Sequence, residues 1–553
     1  MLLANIFSSV RSVRVPRRFA AFLICFLVGL TAGNIFAEDF LRELQLNAIE
    51  ADHADWGHWG SQPEKFTQWK NHSNRLVPVY TFGIDLESVK GKHSVYRDEQ
   101  ALVKIYGELP DETLNPTAEY FDQTDIYGLQ KQAAAAGKKY IFLVIFDGMD
   151  WQTTQAAAIY RTQRIAYQSG RGTGLHFLDY NKAKTDYGWM VTSAYSSGAK
   201  VDVNAQTVNS SGEKNQGGYS AAVGGATPWD KPQIDDYLLG RYRKLPHVVT
   251  ESASSATSMT CGIKTYNAAI DVDSEGKQIE TIAHLLQREK QFAIGVVTSV
   301  PISHATPACA YSHNVNRNDY QDLTRDLLGL PSVSHKEKPL PGVDVLIGGG
   351  FGEDRTTDSG QGENYVSGNK YVAPDDLKSI DVNNGGKYVV AQRQAGKSGA
   401  ELLAAGAAQA AENGHRLFGF FGVGGGHLPF QTADGKYNPT RGASGIEKYT
   451  ADEITENPTL ADMTKSALKV LEKHPQGFWL MVEAGDVDWA NHNDNIDDSI
   501  GAVFSGDDAI KAITDWVEQH NAWNDTALIV TADHGHYFVL DDPKILIAPA
   551  QKN

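Results

Sequence analysis

The chain has 553 residues, with 50 basic and 67 acidic side chains, a formal charge of −17 and three cysteines. So few cysteines exclude a disulfide framework, and an acidic chain with no basic cluster excludes nucleic acid as a partner. A hydrophobic content of 41% is that of an ordinary globular protein and excludes extensive disorder.

The sequence starts with Arg11, Arg14, Arg17 and Arg18 and no acid, followed by the apolar run AAFLICFLVGLTAGNIFA, which ends just before Glu38. That order predicts a secretory signal peptide over 1–37, with a retained membrane anchor as the alternative. Cleavage after Ala37 removes four arginines and takes the charge to −21. The expected location is periplasmic or secreted, without stable membrane insertion. Residues 38–135 are expected to be an N-terminal extension packed on a catalytic domain of 136–553. The histidines and tryptophans of ADHADWGHWG and NHSNRLVPVY are read there as packing and surface polarity. Cys261 and Cys309, set among small apolar residues, read as buried free thiols.

Further along, five short apolar runs end in chemically capable residues. YIFLVIF ends at Asp147, FAIGVVT leads to His304 and Thr306, RLFGFFGV leads to His427, FWLMV ends at Glu483, and ALIVTA ends at Asp533 and His534. Helical patterns such as TIAHLLQREK and LADMTKSALKVLEK lie between them. Uninterrupted apolar runs suit strands covered on both faces, so the expected fold is a three-layer α/β/α sandwich around a mainly parallel sheet. Ligands bind such sheets beyond the carboxyl ends of the strands, which gathers the endings into one site. A single aspartate there would read as a helix cap; four or five endings together do not.

Asp147, Glu483, Asp488, His492, Asp533 and His534 offer carboxylate and imidazole ligands, a mixture suited to Zn²⁺ together with a harder ion such as Mg²⁺. Asp488 and His492, four apart in VDWANH, fall on one helix face. The stretch TESASSATSMT sets seven hydroxyls between Thr250 and Thr260 with no histidine base among them. A zinc-bound hydroxyl needs none, because the metal lowers its pKa. Ser252, at the start of the helical segment, is best placed; Ser254, Ser255, Thr257, Ser258 and Thr260 read as caps and packing.

These segments together resemble the alkaline phosphatase family. TESASSATSMTCGIKTYNAA is similar to its nucleophile segment, FDGMD to its first metal segment, HATPACAYSHNVNR to its magnesium and phosphate-arginine segment, VEAGDVDWANH to its shared metal segment, and TADHGH to a zinc segment. The resemblance implies hydrolysis of small phosphate monoesters through a phosphoserine on Ser252, with Arg317 clamping the phosphate. It implies one zinc on Asp147, Asp533 and His534, a second on Asp488 and His492, and magnesium on Asp147, Thr306 and Glu483. His304 would stand at the remaining metal position, and a homodimer would be usual.

Some features depart from that pattern. Glu251 stands where aspartate is commoner, and Trp489 stands at a variable position beside Asp488. No modified-nucleophile motif supports a sulfatase, and no G-x-S-x-G elbow supports a serine esterase. A phosphodiesterase, or a non-catalytic phosphate binder with an incomplete zinc site, stays open. The second zinc also lacks a histidine expected downstream, while His536 is spaced too closely to His534 to serve. The expectation is therefore either a catalytic domain incomplete at its C-terminus or a substitute ligand, with His427 the first candidate.

Overall fold

In the computed structural model of the protein, residues 40–210, 217–242 and 247–548 are described. The proposed signal segment lies outside them. Among the described residues no helix is long and apolar enough to cross a membrane.

The apolar runs become strands of one ten-stranded sheet. In chain order they are β1 (Val77–Phe82), β2 (Phe121–Asp122), β3 (Tyr140–Phe146), β4 (Thr185–Val191), β5 (Ala293–Pro301), β6 (Val345–Gly349), β7 (Tyr388–Gln392), β8 (Arg416–Phe420), β9 (Phe478–Ala484) and β10 (Thr526–Ala532). Their spatial order is β7-β8-β6-β5-β9-β3-β10-β1-β4-β2. Every neighbouring pair is parallel except those made by β1, which runs antiparallel to both β10 and β4.

Side chains alternate between the two faces of a strand, and β9 and β10 are buried at every position. Both faces are therefore covered, as expected of an α/β sandwich. The 24-residue helix Ile496–Gln519 packs against β9 and β3. It approaches so closely that a Cβ at Gly506 would stand 2.1 Å from a ring carbon of Phe146. Cys261 and Cys309 are buried and unbridged.

The stretch before Lys138 departs from the expectation of an extension packed on the core. β1 and β2 are strands of the sheet itself, and β1 pairs directly with β10, Thr531 opposite Val79. Tyr80 and Phe82 on β1 are fully buried in the main core. The apolar VPVYTF run carries that information, but it is too short for its pattern to distinguish a sheet strand from a packed appendage.

Candidate functional site

The carboxyl ends of β5, β9, β3 and β10 lie side by side, and the side chains that follow them meet on one rim. Asp147 follows β3 and Asp533 follows β10, so neighbouring parallel strands present them together. His534 Nε2 lies 3.2 Å from Asp147 Oδ1 and 3.4 Å from Asp533 Oδ2. The Asp533 carboxylate is oriented by the backbone N–H of Gly148 and of His534, each at 2.9 Å.

Ser252 opens the helix Ser252–Cys261, whose capping box comes from Glu251 accepting the Ser254 N–H at 2.8 Å. Its Oγ is 3.4 Å from His534 Nε2. The other hydroxyls have structural partners: Ser255 donates to the Asp533 carbonyl at 2.6 Å, and Ser258 and Thr260 donate to carbonyls one turn back. Ser255 thus ties the Ser252 helix to the end of β10. Arg317 is ion-paired with Glu251, whose carboxyl burial would push up but which Arg317 and the N–H groups of Ala268, Ser254 and Ala253 hold down to about 2. The longer side chain of Glu251 therefore still reaches the arginine. His304 Nδ1 accepts from Arg317 Nη2 at 3.4 Å, and burial followed by Arg317 lowers the imidazole to about 3. Thr306 and Glu483 present Oγ1 and Oε1 buried without hydrogen-bond partners, the other Glu483 oxygen being held by Thr298.

Asp488 and His492 lie on the helix Asp486–His492, with His492 Nε2 3.4 Å from Asp488 Oδ1. His492 Nδ1 donates to the Lys70 carbonyl at 2.6 Å, which turns Nε2 toward the carboxylate. Two further histidines complete this group. His536 Nε2 is 2.6 Å and His72 Nε2 is 3.5 Å from Asp488 Oδ1, and His72 Nε2 is 3.1 Å from His492 Nε2. Ligand atoms of His72, Asp488, His534 and His536 all lie within 4.8 Å of one another, as do those of Asp147, Asp533 and His534.

His536 is thus close enough to join this cluster, contrary to the expectation from its spacing. In an extended stretch residues two apart share a face, so His534 and His536 point to the same side, their ring centroids 5.5 Å apart. Gly148 makes room for this: at φ 73° it passes so near that a Cβ would stand 2.7 Å from His536 Cδ2. His427 does not fill the gap. Its Nε2 pairs with Glu447 at 3.0 Å, its Nδ1 with the Leu428 carbonyl at 2.5 Å, and its ring stacks on Phe430. Sequence reasoning missed His72 because it looked downstream for the ligand. The reversed direction of β1 brings its beginning to the rim where the parallel strands end, and Ser73 N–H extends the pairing to the Gly535 carbonyl at 2.7 Å.

The electrostatics of the rim ask for cations. Asp147 is pushed well above the usual carboxylate range by burial and then by Asp488 and Glu483, Asp533 by burial and then by Asp147, and Glu483 up to about 8, chiefly by burial. Burial would also raise Asp488, but His492 and the hydrogen bonds from His536 and His72 hold it well below. Burial takes His72 down to about 4 and keeps His536 well below its ordinary value, leaving neutral imidazoles able to ligate. Asp147 Oδ1, Asp533 Oδ2, Glu483 Oε1 and Thr306 Oγ1 are buried without hydrogen-bond partners. Buried oxygens facing one another in this way fit divalent cations: imidazole and carboxylate for zinc, all-oxygen for magnesium. A cleft of about 530 Å³ opens above them, lined by His72, Ser252, Arg317 and Asp488, with Phe430 and Trp489 on its wall.

A mainly parallel sheet with helices on both faces defines an α/β protein, and its rim brings a serine together with a cluster of carboxylates and imidazoles. Residues 224–547, more than half of the chain, match the family model described as alkaline phosphatase. The chain belongs to the alkaline phosphatase family. It is 31% identical over 306 residues to alkaline phosphatase 3 of Bacillus subtilis, covering 54% of this chain and 53% of that protein. With the alkaline phosphatase of Escherichia fergusonii it shares 28% over 325 residues, 55% of this chain and 61% of the other. The chain thus spans about half the length of the first of these relatives. A cold-active alkaline phosphatase from a psychrophilic Shewanella overlaps 72% of this chain and 68% of its own at 20% identity, with a TM-score of 0.41. That overlap is too loose to carry weight, and the fold is read from the sheet itself. Ser252, Arg317, Glu483, Asp488, His492, Asp533 and His534 fall inside the matched span, whereas His72 and Asp147 precede it.

Proposed function

We propose that the protein is an exported, metal-dependent phosphate monoester hydrolase that works through a phosphoserine on Ser252. The observation that carries this reading is the position of Ser252 Oγ, at the first residue of a helix and 3.4 Å from His534 Nε2. Helix N-terminal amides favour an anion there, and the Arg317 fork, braced by Glu251, supplies the planar donors a phosphate takes. Zinc held by Asp147, Asp533 and His534, zinc held by Asp488 with His72, His492 and His536, and magnesium held by Asp147, Thr306 and Glu483 would supply Lewis acidity: a lowered pKa for a coordinated oxygen and neutralisation of the phosphoryl charge.

The chain's own part is then simple. Ser252 Oγ gives up its proton to solvent and bonds to phosphorus as the ester P–O bond breaks, and the leaving alkoxide takes up a proton from solvent to depart as the alcohol. Arg317 holds the phosphoryl oxygens through both displacements. Water then bonds to phosphorus, the Ser252 Oγ–P bond breaks, and inorganic phosphate departs. A set of ligands completed from upstream supports a catalytic protein over a phosphate-binding derivative.

The test is turnover of p-nitrophenyl phosphate against its bis ester and the aryl sulfate, with zinc and magnesium added. The monoester should be preferred, activity should rise on the alkaline side and vanish with a strong chelator, and Ser252→Ala should lose turnover and covalent phosphate together. Phosphate trapped on another residue, or diester turnover exceeding monoester, would overturn the reading.

A further inference from the structure

A second cluster lies apart from the cleft, behind the loop that carries Arg317. His313 stands four residues before Arg317, Asp326 is on the helix Tyr320–Leu328, and His335 is on the loop beyond it. Ligand atoms of these three lie within 4.8 Å of one another. We propose that His313, Asp326 and His335 form a separate zinc-class site that fastens the Arg317 loop to this helix.

The tautomer of His313 is the strongest reason. Its Nε2–H donates to the Ile279 carbonyl at 2.9 Å, which leaves Nδ1 as the lone-pair nitrogen. That Nδ1 has no partner, on a residue only 5% exposed. An imidazole steered by a carbonyl at one nitrogen with the other free is the arrangement of a metal-ligating histidine. Asp326 is equally fixed: Oδ2 accepts the His313 backbone N–H at 3.0 Å, and Oδ1 accepts from Ser332 Oγ at 2.5 Å and pairs with His335 Nδ1 at 3.0 Å. Donors sharing a tetrahedral zinc stand roughly 3.3 Å apart, so a cation could replace the proton between Asp326 and His335 with little movement.

A plain Asp–His hydrogen bond would leave His313 Nδ1 buried and unsatisfied, which folded proteins rarely tolerate. His284 stacks on His313 at 5.2 Å and takes no part as a ligand, because its Nδ1 accepts the Thr281 backbone N–H at 3.4 Å and the ring proton therefore sits on Nε2. Two imidazoles with one carboxylate select zinc over calcium or magnesium.

The test compares zinc per chain in the wild type, His335→Gln and His335→Cys after gel filtration at micromolar zinc. His335 takes no part in the cleft and is partly exposed, so its replacement leaves the fold standing. The proposal expects one zinc fewer in the glutamine variant, its return in the cysteine variant, and a smaller zinc-dependent rise in melting temperature for the glutamine variant. Equal zinc counts in all three proteins, or a difference seen only at millimolar zinc, would overturn it.

Discussion

The two ligand groups at the rim are assembled in different ways. Asp147, Asp533 and His534 all follow directly on neighbouring parallel strands, so the sheet itself sets their spacing and each is buried. Asp488 and His492 sit on a helix, His536 on an extended loop, and His72 just ahead of the reversed strand, with His492 the most exposed of the four at 38% of its side chain. The first group is a product of local sheet geometry. The second needs a helix, a loop and the lead-in to β1 to converge as well, so single substitutions should affect the two centres differently.

The largest effect is expected at the first. His534→Ala removes a ligand beside Ser252 and should lower turnover by on the order of 10³-fold or more, with no phosphoserine formed. Quenched-flow trapping of labelled phosphate checks this, and a normal burst of phosphoserine would break the distinction between the centres. His72→Ala should cost less, roughly 10- to 100-fold, and should let phosphoserine accumulate if the second centre serves the water step of the proposed mechanism. Added zinc should restore part of that loss. If labelled Ser252 fails to accumulate, His72 does not belong to the second centre.

A smaller effect concerns the strut common to both centres. Glu251 has its folded pKa depressed to about 2, against about 4.3 unfolded. Its contribution to stability is therefore complete above about 4.3 and is lost as pH falls through that window toward 2. Glu251→Gln should flatten the urea midpoint between pH 4.5 and 2, on an approximate scale set by those two pKa values; an unchanged slope would show that the Arg317 pairing is not felt. The smallest effect is expected from His427→Ala: zinc content at both centres should stay as in the wild type, since His427 pairs with Glu447. A zinc lost in that variant would return His427 to the second centre.

The same contrast explains what the sequence could reveal. Strand ends in parallel sheets can be read directly, because an apolar run followed by Asp or Asp-His announces both the strand and a polar group at its carboxyl end, and the convergence of Asp147, Asp533 and His534 is legible that way. Ser252 was legible from the shift from apolar runs to a hydroxyl-rich helix opening. His72 was not, since NHSNRL has no metal spacing of its own and joins the cluster only through the direction of β1. His536 was set aside because the resemblance calls for a histidine well downstream, whereas on extended backbone two residues suffice to bring it to the side of His534. No pattern links His427 with Glu447 or His313 with His335; those neighbours are products of tertiary folding.

The reversed strand has a consequence for the order in which the protein can be finished. Thr531 donates to the carbonyl of Pro78 across 453 residues of sequence, and His72 reaches His492 across 420. Contacts of that range form late, because the intervening chain must be closed before they stabilise anything. During synthesis β1 emerges early and can pair with β4, but its other edge must wait for β10 and depends on protection until that strand arrives. Zinc can settle into the second centre only after that closure. Metal occupancy at Asp488 would therefore report that both halves of the chain have met.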